Sequence, residues 1–220
     1  MSMTPDEARY EEYMDQLYEE HKEQAIQEFI DERLQSYYGE HRLLAEPAFG
    51  AFTEAKKLIH TYPNPAFLFS AIAVEVGLRE TLVKPIVFGL VHTLSIASLI
   101  TDMVLSRPDQ KKYRDLLLHL LREHGDVDLY SYKRSDSRRS IWEEIADVKK
   151  KRDLIVHQAQ TVTSDEANLA LGVASTVLES LFPTIVGKMG LHLHEGFRIC
   201  SDWKCRYRGT EFEEILKKAT

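Results

Sequence analysis

From Ala66 to Val83 almost every side chain is apolar, whichever way a helix is turned, and after Pro85 the run resumes from Ile86 to Leu105. A helix with no polar face has to be enclosed by other elements, so these two runs ask for a bundle built around them. A membrane hairpin would meet the same length requirement in its second arm. That arm is interrupted by Gly89, His92, Ser95, Ser98, Thr101 and Asp102 and lacks aromatic belts, so a protein core is the better home and no membrane association is expected.

The enclosing helices can be read from their caps and periodicity. Thr4-Pro5-Asp6-Glu7 starts a long one, with apolar residues from Tyr10 to Tyr37 at helical spacing up to Gly39. A second covers Pro47 to His60 and ends at Tyr62-Pro63-Asn64-Pro65. An amphipathic helix comes next, from Asp109 to His124, then a polar loop from Gly125 to Ser137, then a helix marked by Ile141, Ile145, Val148, Ile155 and Val156. Thr163-Ser164-Asp165-Glu166 caps a last bundle helix that runs to about Lys188. From Leu191 to Arg208 the period changes to two, with turn signals at Glu195-Gly196 and Ser201-Asp202, which predicts a small β-meander. Thr210-x-x-Glu213 then opens a short terminal helix. The fold class is therefore all-α: residues 1–46 form an acidic helix packed on the bundle, 47–190 the helical domain, and 191–220 the β-meander and terminal helix.

With 220 residues, 44% of them hydrophobic, the chain is long enough to bury a substantial core. Its net charge of −7 is uneven: residues 1–46 hold 13 acidic and 4 basic side chains, or −9, which leaves +2 for the remainder. An acidic sum thus does not exclude a polyanionic ligand, because local field decides binding. Only Cys200 and Cys205 are present, which argues against a disulfide framework and for a reducing cytoplasm. The N-terminus lacks the basic and apolar regions of a signal peptide.

Chemistry concentrates at Arg152-Asp153-Leu154-Ile155-Val156-His157, which comes after the basic run Lys149, Lys150, Lys151 and precedes a polar break from Gln158 to Ser164. Metal-free RNA cleavage needs one group to handle the proton of a 2′-hydroxyl and a cation to neutralise the crowded phosphate; His and Arg supply both. Asp153 and His157 lie one turn apart on one helix face, so the carboxylate is placed to orient the ring. Arg152 is about 140° around the helix from His157, so a single helix does not present both to one phosphate. A second Arg-x4-His, Arg114 to His119, sits in mid-helix with Leu120-Leu121 continuing its apolar stripe, and His119 reads as a half-buried helix residue. His157 instead ends its apolar pattern, where a ring can face an open cleft.

This segment resembles the R-x4-6-H signature of the HEPN superfamily, many of whose members are ribonucleases. The resemblance extends over roughly residues 60–190: Ser140 to His157 is similar to the pre-motif helix, the capped helix from Ser164 comes in the family's order, and Ser70 to Leu82, with Glu75 embedded, is similar to the central helix. It implies a two-fold dimer in which two motifs meet in a composite cleft. There His157 acts on the 2′-hydroxyl or the leaving oxygen, Arg152 stabilises phosphate charge, and the product is a 2′,3′-cyclic phosphate. It also implies a role as a toxin or phage-defence effector, with an antitoxin or regulatory protein as a partner. An inactive HEPN domain serving as a nucleotide- or RNA-binding or assembly module is the alternative. Ala159 stands where the adenylylated toxin branch carries Tyr, so that mode of control does not carry over.

Glu75 interrupts an apolar helix and has two candidate partners. It can anchor Arg152 across the bundle or pair with Arg79 one turn away, and the intrahelical pair is the simpler expectation. Eight basic against four acidic residues lie between Lys133 and Arg152; Arg138, Arg139, Lys149, Lys150 and Lys151 are the ones placed to guide an RNA backbone, although a solvated charged face reads the same way. Lys204, Arg206 and Arg208 share one face of the predicted last strand, as edge protection. His192, His194, Cys200 and Cys205 are metal-ligand types, but their HxH and Cx4C spacing is not a strong zinc signature. No Gly-rich phosphate loop, nucleophile elbow or HExxH is present. A protein without metal or cofactor is the expectation, with that quartet as the minor alternative.

Overall fold

The computed structural model describes residues 5–91, 93–106, 111–194, 196–202, 204 and 205. The described chain is mostly helical. In order it forms α1 (Pro5–Glu40), α2 (Glu46–Leu58), α3 (Pro63–Val76), a π-helical segment (Gly77–Val83), α4 (Lys84–Leu90), α5 (Leu94–Ser106), α6 (Lys111–Gly125) and α7 (Ile141–Gln158). It continues with α8 (Ser164–Ser175), a second π-helical segment (Thr176–Leu181), α9 (Phe182–Lys188), and strands β1 (His192–His194) and β2 (Arg198–Cys200). The predicted terminal helix and most of the predicted last strand, with Arg206 and Arg208, lie outside the described residues; Lys204 sits in a turn.

The apolar runs become the centre of the bundle. α3 packs between α2 and α8, with Ala66, Ala71 and Ala73 of α3 and Ala167, Ala170 and Ala174 of α8 fully covered. Small side chains let the backbones approach closely, and dispersion then adds up over the whole contact. One described helix, Ser164–Lys188, is long and apolar enough to cross a membrane, and 56% of its apolar window is buried inside the protein.

Pro85 does not end the helix as its position suggests; the chain runs continuously from Pro63 to Leu90 and breaks only before Leu94. Both π-helical segments precede a proline, Pro85 and Pro183, each in the first turn of the next helix. A proline lacks the N–H and crowds the carbonyl four residues back, and one wider turn relieves the crowding. The carbonyl four residues before Pro85 belongs to Thr81, and it accepts a 2.7 Å hydrogen bond from the buried Tyr38 hydroxyl. Burial raises the pKa of that hydroxyl and keeps it a donor.

The first two-thirds of α1 contradicts the expected packing of the whole helix on the bundle. Tyr10, Tyr13, Tyr18, Ile26 and Phe29 are exposed, and full burial begins only at Leu34 and Tyr38. At about 1.5 Å per residue α1 is about 54 Å long, longer than the elements that could cover it. The remaining third is anchored firmly: Arg33 donates to the carbonyls of Phe88, Gly89 and Val91 at 3.1–3.3 Å, closing the C-terminal end of α4. Gly89 has no side chain to obstruct Leu34, whose methyl occupies the space a Cβ would take.

Candidate functional site

α7 places the motif. Ser140 caps it and Glu143 returns the bond to the Ser140 backbone, a complete capping box. These contacts, the backbone N–H first, hold the Glu143 carboxyl below its usual range. Ile141, Ile145, Val148 and Ile155 recur at helical spacing and are buried, so the opposite faces, with Asp153, Val156 and His157, are turned outward.

Arg152 is half-buried and pairs with Glu75 of α3 through Nη2, while its Nε lies 3.2 Å from Asp153 Oδ1 without forming a hydrogen bond. The expected Glu75–Arg79 pair is not formed. Arg79 bonds Asp102 of α5 at 2.5 Å and approaches Glu80 at 3.5 Å. Asp102 takes the Arg79 guanidinium and leaves the Glu75 carboxylate to Arg152. The cross-bundle partner of Glu75 therefore wins. Asp153 faces Arg152, and no hydrogen bond or ion pair joins it to His157 among the described residues, so the expected orienting contact is absent.

His157 is exposed in the last turn of α7. The helix ends at Ala159 in the left-handed region (φ 52°, ψ 31°), with the Ala159 N–H returning to the Leu154 carbonyl. The linker beyond is pinned by Asn64: its Oδ1 accepts from the Val162 N–H at 2.8 Å, and its Nδ2 reaches the Gln160 carbonyl at 3.5 Å. Asn64 is legible in the sequence only as part of a chain break, because a clamp between residues 98 apart leaves no local pattern. His119 of the rival motif is exposed, not half-buried, and its Nδ1 is 4.0 Å from Glu123.

The basic residues divide into paired and unpaired groups. Lys151 bonds Glu166 at 2.9 Å, and Arg139 bonds Asp147 at 2.5 Å. The Thr163 backbone N–H, and then Lys151, hold the Glu166 carboxyl below its usual range. Lys149, Lys150 and Arg138 make no ion pair among the described residues, which leaves their charge available to a phosphate.

No protein-family profile, no curated protein and no solved structure matches this chain.

Two further clusters stand out. Arg134 and Glu144 form a bidentate pair (2.8 and 3.2 Å), with Glu144 only 1% exposed. The guanidinium crosses α8 at Gly172, where a Cβ would collide with it. In the sequence both look like members of a charged face; the signal that could have found them is the place of Glu144 on the apolar stripe between Ile141, Ile145 and Val148. On the C-terminal hairpin, one donor atom from each of His192, His194, Cys200 and Cys205 lies within 4.8 Å of the other three. His194 Nε2 is 3.1 Å from His192 Nε2 and 2.9 Å from Cys205 Sγ. The hairpin register, which HxH and Cx4C spacing does not reveal, brings the four together.

Proposed function

We propose that the chain is a metal-independent endoribonuclease of HEPN type, working as a homodimer whose composite cleft combines Arg152 and His157 from two copies. The observation that carries this reading is the Arg152–Glu75 pair: the acid embedded in the central helix fixes the motif arginine, whose only hydrogen bond to the described protein is to Glu75. Its Nε is buried beside Asp153, so the N–H groups of Nη1 are the ones left for a phosphate oxygen. His157 stands exposed on the same helix, at an angle that calls for a second copy. Val156, one turn from Arg152, is 56% exposed, and Ile72, one turn from Glu75, is 44% exposed. Apolar residues flanking a half-buried ion pair suit an isologous contact.

In this mechanism the neutral histidine of one copy takes the 2′-hydroxyl proton as the oxygen attacks phosphorus, and the protonated histidine of the other copy gives its proton to the leaving 5′-oxygen as the P–O5′ bond breaks. Arg152 stabilises the charge on the phosphate oxygens. The products are a 2′,3′-cyclic phosphate and a 5′-hydroxyl end. Lys149, Lys150 and Arg138 guide the RNA backbone. A toxin or phage-defence role, with a regulatory protein that restrains the activity, fits such an enzyme.

One observation favours a second reading, an inactive HEPN domain acting as a nucleotide- or RNA-binding or assembly module. Glu75 and Asp153 together offset the charge of Arg152, and Asp153 does not orient His157. Incubating total RNA and a tRNA pool with wild type and with His157→Ala, in EDTA, separates the two. Cleavage by wild type with cyclic-phosphate ends, lost in the variant, is the expected result. No cleavage by a confirmed wild-type dimer moves the assignment to the binding module.

A further inference from the structure

We infer that His192, His194, Cys200 and Cys205 form a structural zinc site that ties the C-terminal segment to the bundle. The hairpin dictates the arrangement. β1 and β2 pair antiparallel with His192 opposite Cys200, Leu193 opposite Ile199 and His194 opposite Arg198. Side chains alternate across a strand, so Leu193 and Ile199, both buried in the core, put His192, His194 and Cys200 on the other face. Cys205 returns over that face after a turn closed by the Cys205 N–H on the Asp202 carbonyl (3.2 Å) and the Lys204 N–H on Asp202 Oδ1 (2.9 Å).

Two imidazoles and two thiols are a zinc donor set: a tetrahedral ion with bonds of about 2.0–2.3 Å places its donors about 3.3–3.8 Å apart. The four atoms here, all within 4.8 Å of one another, span that range, and small χ rotations at His194 open its two short contacts. Two thiolates neutralise the ion, so no net charge is buried. The Asp202 N–H also points at Cys200 Sγ (3.4 Å), the kind of donor that stabilises a metal-bound thiolate.

Four protein ligands leave no open position, which makes the ion structural and not catalytic. Its use is mechanical. A two-stranded hairpin of three-residue strands is marginal on its own, and Cys205 lies beyond both strands. The ion fastens the segment carrying Cys205 to a hairpin that packs on α9 and is bonded to the chain after α1 through the Ile199 N–H and the Arg42 carbonyl. This site stands apart from the Arg152–Glu75 contact between α3 and α7, and it holds whether or not the protein cleaves RNA.

The test is elemental analysis of the full-length, untagged protein, purified in reducing buffer without chelator, beside Cys200→Ser/Cys205→Ser. About one zinc per chain is expected in wild type, falling roughly tenfold in the variant. Because the variant can fail to fold, the wild-type protein, stripped and titrated with Co²⁺, supplies an independent reading. Tetrahedral d–d bands with thiolate-to-cobalt charge transfer, displaced by one equivalent of Zn²⁺, support the site. Metal-free wild type with no tetrahedral cobalt spectrum, or a folded double variant with undiminished zinc, overturns it.

Discussion

At the scale of single residues, several side chains are fixed by a partner that their neighbours in sequence do not announce. Tyr38 donates to the Thr81 carbonyl that Pro85 is unable to serve. Tyr38→Phe should therefore cost about 1–2 kcal/mol, read from urea midpoints at unchanged slope, because the carbonyl stays buried and loses its donor. Arg134 and Glu144 are coupled more tightly. Glu144→Ala leaves the mostly buried Arg134 only the exposed Asp136, 3.4 Å from its Nη1, and should lose about 3 kcal/mol, and Gly172→Ala should lose part of the same pair by displacing the guanidinium. If both variants unfold with wild type, the pair is worth no more than a surface contact. Ala159 runs the other way. Its left-handed backbone is strained for a residue with a Cβ, and Ala159→Gly should stabilise the protein by about 1 kcal/mol in thermal unfolding.

Among elements, the two π-helical segments meet closely at Gly77. A Cβ on Gly77 would lie 2.8 Å from Leu178 Cδ2 and 3.2 Å from Val177 Cγ1. Alanine at 77 favours a helix by propensity, yet the two segments would have to separate, so Gly77→Ala should destabilise by about 1–3 kcal/mol. A gain in stability would show that the second segment yields freely. Near this joint Arg79 turns to Asp102 and leaves Glu75 to Arg152, a choice of partner that one-turn spacing alone does not make.

For the whole molecule, α1 divides into an anchored end and an exposed one. Truncation up to residue 28 leaves Leu34, Tyr38 and the Arg33 contacts in place, and the unfolding free energy should stay within about 0.5 kcal/mol. The acidic arm that is removed carries Tyr10, Tyr13 and Tyr18 on its surface. If it shields the basic residues near α7 or joins copies together, RNA cleavage or the sedimentation-measured assembly state will change on truncation. Unchanged cleavage and unchanged assembly would leave it neither role.

The helices, the cap at Thr163 and the buried centre were written in the sequence, because apolar spacing and capping residues act over a few positions. Arg152, His157 and the candidate metal ligands could be named there for the same reason: their chemistry belongs to the residue. Their partners could not. Glu75 meets Arg152 across 77 positions, Asn64 clamps the linker across 98, and Cys205 reaches His194 only after the chain has turned back over its own hairpin. Each of those choices was decided by packing, which brings together side chains whose separation along the chain carries no record of their distance in space.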